Sequence, residues 1–344
     1  MKAALLTAYN EPLAVSDVFL DRIDYGQVRV KVLASGICGA QLQEIRGEKK
    51  GAPLPHLLGH EGVGIVIESG VGVTRVKAGD KVVLHWRKAG GIESPFPRYL
   101  VGKDSARYNT PAFMNSITSG KVVTFAEEVF VSENRVTPVP LETPNELCSL
   151  LGCGLSTALG TMENEARLSF GESVLILGVG GLGCNLIRAA GLRQAAEIVT
   201  VDLSPDKGPL ALQLGATEYF TAVPSGRRFD VVVDTTGHPD AISAGLQALG
   251  PSGRFVMVGQ PAPSATVPLV NARHMFDGEG KSIRATQGGG FRPEIDIPRY
   301  VALHKAGRLD LDGIISDRIP LADINRGIDL VRKGGASRVL IEMT

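Results

Sequence analysis

Cysteine is scarce in this chain. Four residues in 344, Cys38, Cys148, Cys153 and Cys184, do not make a disulfide framework. A reducing cytoplasm is the expected compartment, and stability must come from packed cores. Charge of one sign is also missing. Lys plus Arg and Asp plus Glu stand at 36 each, so nothing draws the chain to nucleic acid or to an anionic membrane. No apolar run approaches the ~20 residues needed to span a bilayer. The opening Met1-Lys2-Ala3-Ala4-Leu5-Leu6 meets Asn10, Glu11 and Pro12 too soon for a secretory h-region, and reads better as a first strand. Internal repeats and low-complexity tracts are absent. What remains is a globular composition, 44% hydrophobic and 21% charged, long enough for two domains with separate cores.

The two halves differ in pattern. Residues 1–150 read mostly as β structure. Gln27 to Leu33 alternates, with Val28, Val30 and Val32 set against Arg29 and Lys31, as in a half-buried strand. Val63 to Ile67 is a continuous apolar strand, and another follows at Lys81-Val82-Val83-Leu84. From about residue 155 strands and helices alternate. Strands are expected at 173–177, 197–201, 230–234 and 253–258, with helical segments at 206–214 and 239–249 between them. That alternation predicts a parallel, doubly wound α/β sheet. A helix at 296–306 and a strand at 338–341 close the chain. Residues 86–121 have no clear period.

The strongest motif is Ser-Val-Leu-Ile-Leu-Gly-Val-Gly-Gly-Leu-Gly at 173–183. An apolar strand runs into Gly178-x-Gly180-x-x-Gly183, with Gly181 and Leu182 inside the turn, and a helix follows. Such a turn lets the backbone approach a pyrophosphate while the helix N-terminus presents free N–H groups to it. Asp202 ends the next strand about 20 residues after the last glycine, where a carboxylate accepts hydrogen bonds from an adenosine ribose. The cofactor expected is NAD rather than NADP, because no Arg follows Asp202 to receive a 2′-phosphate. Lys207 is a further candidate contact to that ribose, and Val258 ends the fourth strand as another cofactor contact.

Three further patterns carry chemistry: Gly36-Ile37-Cys38-Gly39-Ala40, Gly59-His60-Glu61-Gly62 and Gly152-Cys153-Gly154. Each sets a borderline or soft ligand among small residues, where the backbone can bend to aim it. One imidazole and two thiolates suit a tetrahedral catalytic zinc with an open fourth position. Buried structural cysteines would give the same spacing.

Together these patterns and the glycine turn resemble the zinc-dependent medium-chain dehydrogenase/reductase superfamily, in its alcohol dehydrogenase branch. The resemblance covers essentially the whole chain, in the same order. It implies a GroES-like catalytic domain of residues 1–154 and 289–344, a Rossmann domain of residues 155–288, and an active site in the cleft between them. It implies that Cys38, His60 and Cys153 hold zinc and carry catalysis, and that Glu61 is a carboxylate able to enter the coordination sphere. Thr157 would lie beside the nicotinamide, Leu182 behind its ring, and Arg338 against the cofactor phosphates. Trp86 would face the substrate. A homodimer through the edge of the central sheet is the family's usual assembly.

Departures from the family pattern matter as much. Members with a second, structural zinc carry four cysteines in the region of residues 85–121, where this chain has none, so one zinc per chain is expected. Ala40 and Gln43 stand where the family commonly places a hydroxyl and a histidine for proton relay. Gln41 stands where an acidic residue usually orients the zinc-bound imidazole; its amide oxygen could accept the Nδ1–H bond without a charge. Cys148 and Cys184 read as core residues, and His56 as a loop-packing residue. Arg87 and Lys88 follow Trp86 where the pocket wall begins. Arg87 could pair bidentately with a phosphate or carboxylate, although a solvated turn would look the same.

The function expected is hydride transfer between NAD and a small-molecule alcohol or carbonyl substrate, with zinc as Lewis acid. The substrate could be a polar or phosphorylated polyol. Two other functions stay open: a metal-free quinone or alkene reductase of the same superfamily, and a non-catalytic NAD-binding protein.

Overall fold

The structure is a computed structural model that describes residues 1–48, 53–101, 117–269, 271–278, 280–334 and 337–343. The segment 102–116, within the stretch where the resemblance would place a second zinc, lies outside the described residues. The chain divides into two units. One comprises Met1–Cys153, Arg292–Ala302 and Ile315–Thr344, and the other Gly154–Phe291 and Leu303–Ile314. Among the described residues no helix is long and apolar enough to cross a membrane.

The first unit is a GroES-like β structure built around one long strand, Gln27–Ile37. Its alternation holds: Val28, Val30 and Val32 are buried, each contributing about 1.5–3 kcal/mol over exposure. This strand pairs antiparallel with Glu61–Ser69, Glu128–Ser132 and Val339–Glu342. Glu61–Ser69 pairs in turn with Lys81–His85. The pairing Ser35↔Gly62 brings Cys38, just past the end of one strand, to the same edge as His60, just before the start of the other. Gly62 and Gly64 permit that approach, since a Cβ at Gly64 would stand 2.4 Å from the Lys31 carbonyl oxygen. The helix Asn145–Leu151 buries Leu147, Cys148, Leu150 and Leu151 and delivers Cys153 to this edge.

The second unit is the Rossmann half. Its six strands are all parallel, in the order Glu218–Phe220, Glu197–Val201, Ser173–Leu177, Phe229–Asp234, Leu249–Met257 and Ser282–Ala285. The central strands are apolar without alternation, as expected where helices cover both faces. Val174–Leu177 and Val231–Val233 are buried throughout. Chain order reverses between Ser173–Leu177 and Phe229–Asp234, the switch point at which such sheets bind ligands. Helices at Gly208–Gln213 and Pro239–Gln247 and strands at 173–177 and 197–201 fall where the sequence placed them. The fourth strand begins earlier than expected, at Leu249, because Gly250 and Gly253 continue it through an irregular stretch of the ladder at Phe229/Val231.

Candidate functional site

The first unit gathers one group suited to a metal. The ligand atoms of Cys38, His60 and Cys153 lie within 4.8 Å of one another. They are the only such group among the described residues, and a single ion with bonds of ~2.0–2.3 Å can reach all three. Cys148 and Cys184 are fully buried elsewhere. The two sulfurs differ in acidity. A hydrogen bond from Cys153 pulls the Cys38 thiol well below its ordinary range, aided by His60 and Arg338. The same bond pushes Cys153 up. Burial works against charge on His60, but Cys38 and Glu61 outweigh it and raise its pKa. A divalent cation can replace the protons that hold this cluster together.

Glu61 and Arg338 complete the surroundings. The Arg338 Nη1 lies 3.1 Å from Glu61 Oε1 and 3.2 Å from the Ile37 carbonyl oxygen, to which it donates. The carboxylate is 0% and the arginine 4% exposed. The Arg338 guanidinium lies beside the two sulfurs, with its charge matched by Glu61. The motif glycines find a reason here that the sequence did not supply. A Cβ at Gly36 would stand 2.5 Å from Glu61 Oε1, and one at Gly152 2.8 Å from Glu61 Cα. Gly36 makes room for a buried carboxylate, and Gly152, where a Cβ would also stand 2.3 Å from the Leu84 carbonyl oxygen, for close approach of the strand backbone; the sequence suggested only a bend to aim the ligands. Gly59 does supply a bend, at φ +96°.

Gln41 faces the other way from the sequence expectation. Its Oε1 accepts the Cys38 N–H at 3.0 Å, and its Nε2 contacts His60 Nδ1. The Cys38 N–H opens the short helix Gly39–Ile45, where first-turn donors lack helical partners, so the amide oxygen is drawn there. Ala40 and Gln43 offer neither a hydroxyl nor an imidazole.

The strand Lys81–His85 leads from this edge to the predicted substrate residues. His85 is fully buried, and burial drives its pKa down to about 4. The neutral ring donates from Nδ1 to the Arg87 carbonyl oxygen at 2.6 Å, and its Nε2 accepts from Thr137 Oγ1 at 2.9 Å. Trp86 and Arg87 are half-buried and Lys88 is exposed. His56 packs locally, its Nδ1 2.8 Å from Thr118 Oγ1.

In the second unit the three motif glycines have three distinct tasks. Gly178 turns at φ +94°, with Thr235 Oγ1 2.4 Å from where a Cβ would be. A Cβ at Gly183 would stand 1.9 Å from the Gly178 carbonyl oxygen, so only glycine lets the helix Gly181–Leu192 pack onto the strand. At Gly180 a Cβ would meet nothing within 4 Å. That is the surface a pyrophosphate approaches in such folds, with the helix N-terminus behind it. Gly181 and Leu182 are partly exposed beside it.

Asp202 is held firmly. Its Oδ2 accepts from Val179 N–H at 2.8 Å and Lys207 Nζ at 2.9 Å, and Oδ1 accepts from Ser204 N–H at 3.1 Å. Burial would raise its pKa, but these bonds prevail and keep it below the usual range. Val258 donates its N–H to the Asp234 carbonyl oxygen at 2.9 Å. It lies just past Met257, the last residue of its strand, at the same carboxyl edge of the sheet as Gly178 and Asp202. Thr157 is buried on the helix Gly154–Gly160, its carbonyl oxygen 2.4 Å from where a Gly289 Cβ would be. The sequence reading missed Asp234-Thr235-Thr236-Gly237, whose Asp234 carboxylate accepts the N–H groups of Thr236 and Gly237, both at 3.0 Å. An acidic residue ending a buried strand before Thr-Thr-Gly was the available signal.

Residues 24–141 match the alcohol dehydrogenase GroES-like domain, and residues 178–304 match the zinc-binding dehydrogenase family. Among solved structures, the chain is similar to an alcohol dehydrogenase zinc-binding domain protein from Burkholderia ambifaria. That protein is 28% identical with a TM-score of 0.88, over 100% of this chain and 98% of the other. It is also similar to benzyl alcohol dehydrogenase from Acinetobacter calcoaceticus, 26% identical with a TM-score of 0.87, over 100% and 99%. An alcohol dehydrogenase from Thermus sp. ATN1 is 25% identical with a TM-score of 0.80, over 100% of both chains. The protein belongs to the zinc-dependent medium-chain dehydrogenase/reductase superfamily, in its alcohol dehydrogenase branch, and is an oxidoreductase.

Proposed function

We propose that the protein is a zinc-containing, NAD-dependent dehydrogenase of a small-molecule alcohol, or reductase of the matching carbonyl, with one zinc per chain held by Cys38, His60 and Cys153. The observation that carries this reading is the convergence of those three ligand atoms within 4.8 Å, in a chain whose glycine turn fits a dinucleotide. Bound zinc supplies a Lewis acid that stabilises negative charge on a substrate oxygen. The chain's own residues do the rest. Cys38 and Cys153 supply negative charge, and Gln41 restrains the His60 ring. Glu61 puts a carboxylate within the cluster, while Arg338 keeps it from opposing the thiolates. With Ala40 beside Cys38, the proton leaves by a group other than the family's usual hydroxyl.

Gly178, Gly180 and Gly183 receive the cofactor pyrophosphate, with Gly181, Leu182, Thr157 and Val258 as further contacts. Asp202, assisted by Lys207, binds the adenosine ribose. Asp202→Ala is expected to raise the KM for NAD about 10- to 100-fold, the loss of a charged hydrogen bond of ~1.5–3 kcal/mol. It should also narrow the preference over NADP. Steady-state kinetics with both cofactors measure this, and a higher kcat/KM with NADP in the wild type would overturn the assignment. The edge strand Ser282–Ala285, with all four residues exposed and Ile283 46% exposed, is the surface we assign to a second copy in a homodimer. The cytoplasm is the compartment proposed.

The substrate proposed is polar, of the polyol or phosphorylated polyol class. Arg87 supports this, as does the Trp86 indole Nε1, a buried donor without a hydrogen-bond partner among the described residues. The likeness to benzyl alcohol dehydrogenase favours a second reading, an aromatic alcohol stacked on Trp86. A panel of sugar alcohols, their phosphates and benzylic alcohols separates the two. On the first reading Arg87→Ala lowers kcat/KM for the phosphorylated substrate by about 10-fold or more, the worth of a charged hydrogen bond, and leaves benzyl alcohol unaffected. If benzylic alcohols are best and Arg87→Ala is silent, the second reading holds.

A further inference from the structure

The segment after Trp86 has no regular structure, yet it is tied down at many points by three consecutive residues. Glu133–Arg135 form a single 3-10 turn, and each of the three engages the segment. Glu133, buried, accepts the N–H of Ile92 at 3.0 Å through one carboxylate oxygen and that of Thr74 at 3.0 Å through the other. The Asn134 carbonyl oxygen accepts the Ala89 N–H at 2.7 Å, and its Nδ2 donates to Glu93 at 3.1 Å. Arg135 donates from Nη1 to the Trp86 carbonyl oxygen and from Nη2 to both oxygens of Glu93, at 3.2 and 3.0 Å. Just upstream, Ser132 Oγ accepts the Ser94 N–H at 2.9 Å.

The start of this segment is set by register. Glu61 pairs with His85 as the last rung of the ladder between their strands. One position beyond the last rung, the two chains run on into His60 and Trp86, so the register puts the metal-group histidine and the tryptophan at the same end of the ladder. Trp86 is fixed from both sides: the His85 ring holds the carbonyl of Arg87, and Arg135 holds the carbonyl of Trp86 itself.

We propose that Glu133-Asn134-Arg135 is a clasp that fixes Trp86 at the ladder end it shares with His60, and that Arg135 is a positioning residue for the substrate side of the site. Arg135 touches no reacting atom in this assignment and acts through the backbone of Trp86. The guanidinium suits the task because its rigid planar fork aims separate nitrogens at the carbonyl and the carboxylate, where a lysine has one ammonium on a flexible stem. The proposal rests on the reading of Trp86 as a substrate-facing residue.

Trp86 is the chain's one tryptophan, so its emission reports the clasp without any substrate. The experiment compares Arg135→Met, Arg135→Lys, Glu93→Gln and Trp86→Ala in the zinc-loaded full-length protein. Fluorescence, acrylamide quenching, zinc content, KM and kcat are measured for each. Arg135→Met is expected to red-shift the Trp86 emission and increase its quenching. It should raise the substrate KM about tenfold while kcat changes less than about twofold, the signature of lost binding common to ground and transition state. Arg135→Lys should recover part of both signals. Glu93→Gln reaches the clasp from its other side with little change in volume, and should move emission and KM in the same direction, with zinc content unchanged. Unaltered emission and KM in both Arg135→Met and Glu93→Gln would overturn the proposal. If Trp86→Ala raises KM and Arg135→Met does not, the clasp fails while the reading of Trp86 stands; if Trp86→Ala itself leaves KM unchanged, the reading of Trp86 fails and the proposal falls with it.

Discussion

Cys153→Ala is expected to release the metal and to lower kcat/KM on the order of 10³-fold, since a Lewis acid supplies several kcal/mol of charge stabilisation and each 1.36 kcal/mol is a factor of ten. The ligand set would fall from two sulfurs and an imidazole to one of each. Wild-type protein should carry about one zinc per chain by metal analysis. Cobalt substitution offers a direct readout, because thiolate-to-cobalt charge-transfer absorption depends on sulfur ligation; it should be lost or weakened in Cys153→Ala. Cys148→Ser is the control. Cys148 is fully buried on the helix Asn145–Leu151, outside the group formed by Cys38, His60 and Cys153, and burial pushes its thiol pKa up to about 12. Metal retained in Cys153→Ala, or lost equally in Cys148→Ser, would remove Cys153 from the site.

Much of this arrangement was legible in the sequence because it is local. The strand, turn and helix of 173–183 sit within one stretch, and the tasks of Gly178, Gly180 and Gly183 follow from the turn itself. Asp202 was placed by its position at a strand end. The metal group was legible in a different way. No spacing between Cys38, His60 and Cys153 dictates convergence, and it was the resemblance that joined them. The structure supplies the physical link, a register that sets Ser35 against Gly62.

What could not be read depends on distant partners. Arg338 meets the Ile37 carbonyl across 301 positions, and no local pattern marks it as part of the metal group. Gly36 and Gly152 look like flexible hinges until the Glu61 side chain is seen filling the space before the first, and the backbone of Leu84 and Glu61 that before the second. The orientation of the Gln41 amide turns on an unpaired helix N–H, which becomes a constraint only once the helix begins at Gly39. Ligation through His60 Nε2 would need hydrogen on Nδ1, and the amide would then have to turn its oxygen toward the ring, leaving the Cys38 N–H. Residues 86–94 had no period to read because the side chains of Glu133 and Arg135 and the main-chain carbonyl of Asn134, rather than a ladder or helix, satisfy their backbone.

Arg338→Met is expected to destabilise the fold by about 3–5 kcal/mol, the usual cost of stranding one partner of a buried ion pair. No discount for solvent applies, because Glu61 is 0% and Arg338 4% exposed. Glu61 and the Cys38 sulfur would then lie together without the cation that faces both. Burial works against the charge on Arg338, yet Glu61 and the two cysteines outweigh it and raise its pKa, so the guanidinium stays charged. Two further variants separate the pair from simple loss of packing. Arg338→Met combined with Glu61→Gln removes both charges, and should recover a substantial part of the loss in a double-mutant cycle. Gly36→Ala leaves both residues in place but drives a Cβ to 2.5 Å from Glu61 Oε1, so the carboxylate must move off Arg338. It should therefore destabilise strongly in the wild type and much less in the Arg338→Met background. Denaturant unfolding of chelated protein is the measurement, since removing zinc from every variant leaves the pair's own contribution. Additive losses for Gly36→Ala and Arg338→Met would mean that the glycine serves the backbone alone and that Glu61 owes its place to something other than the arginine.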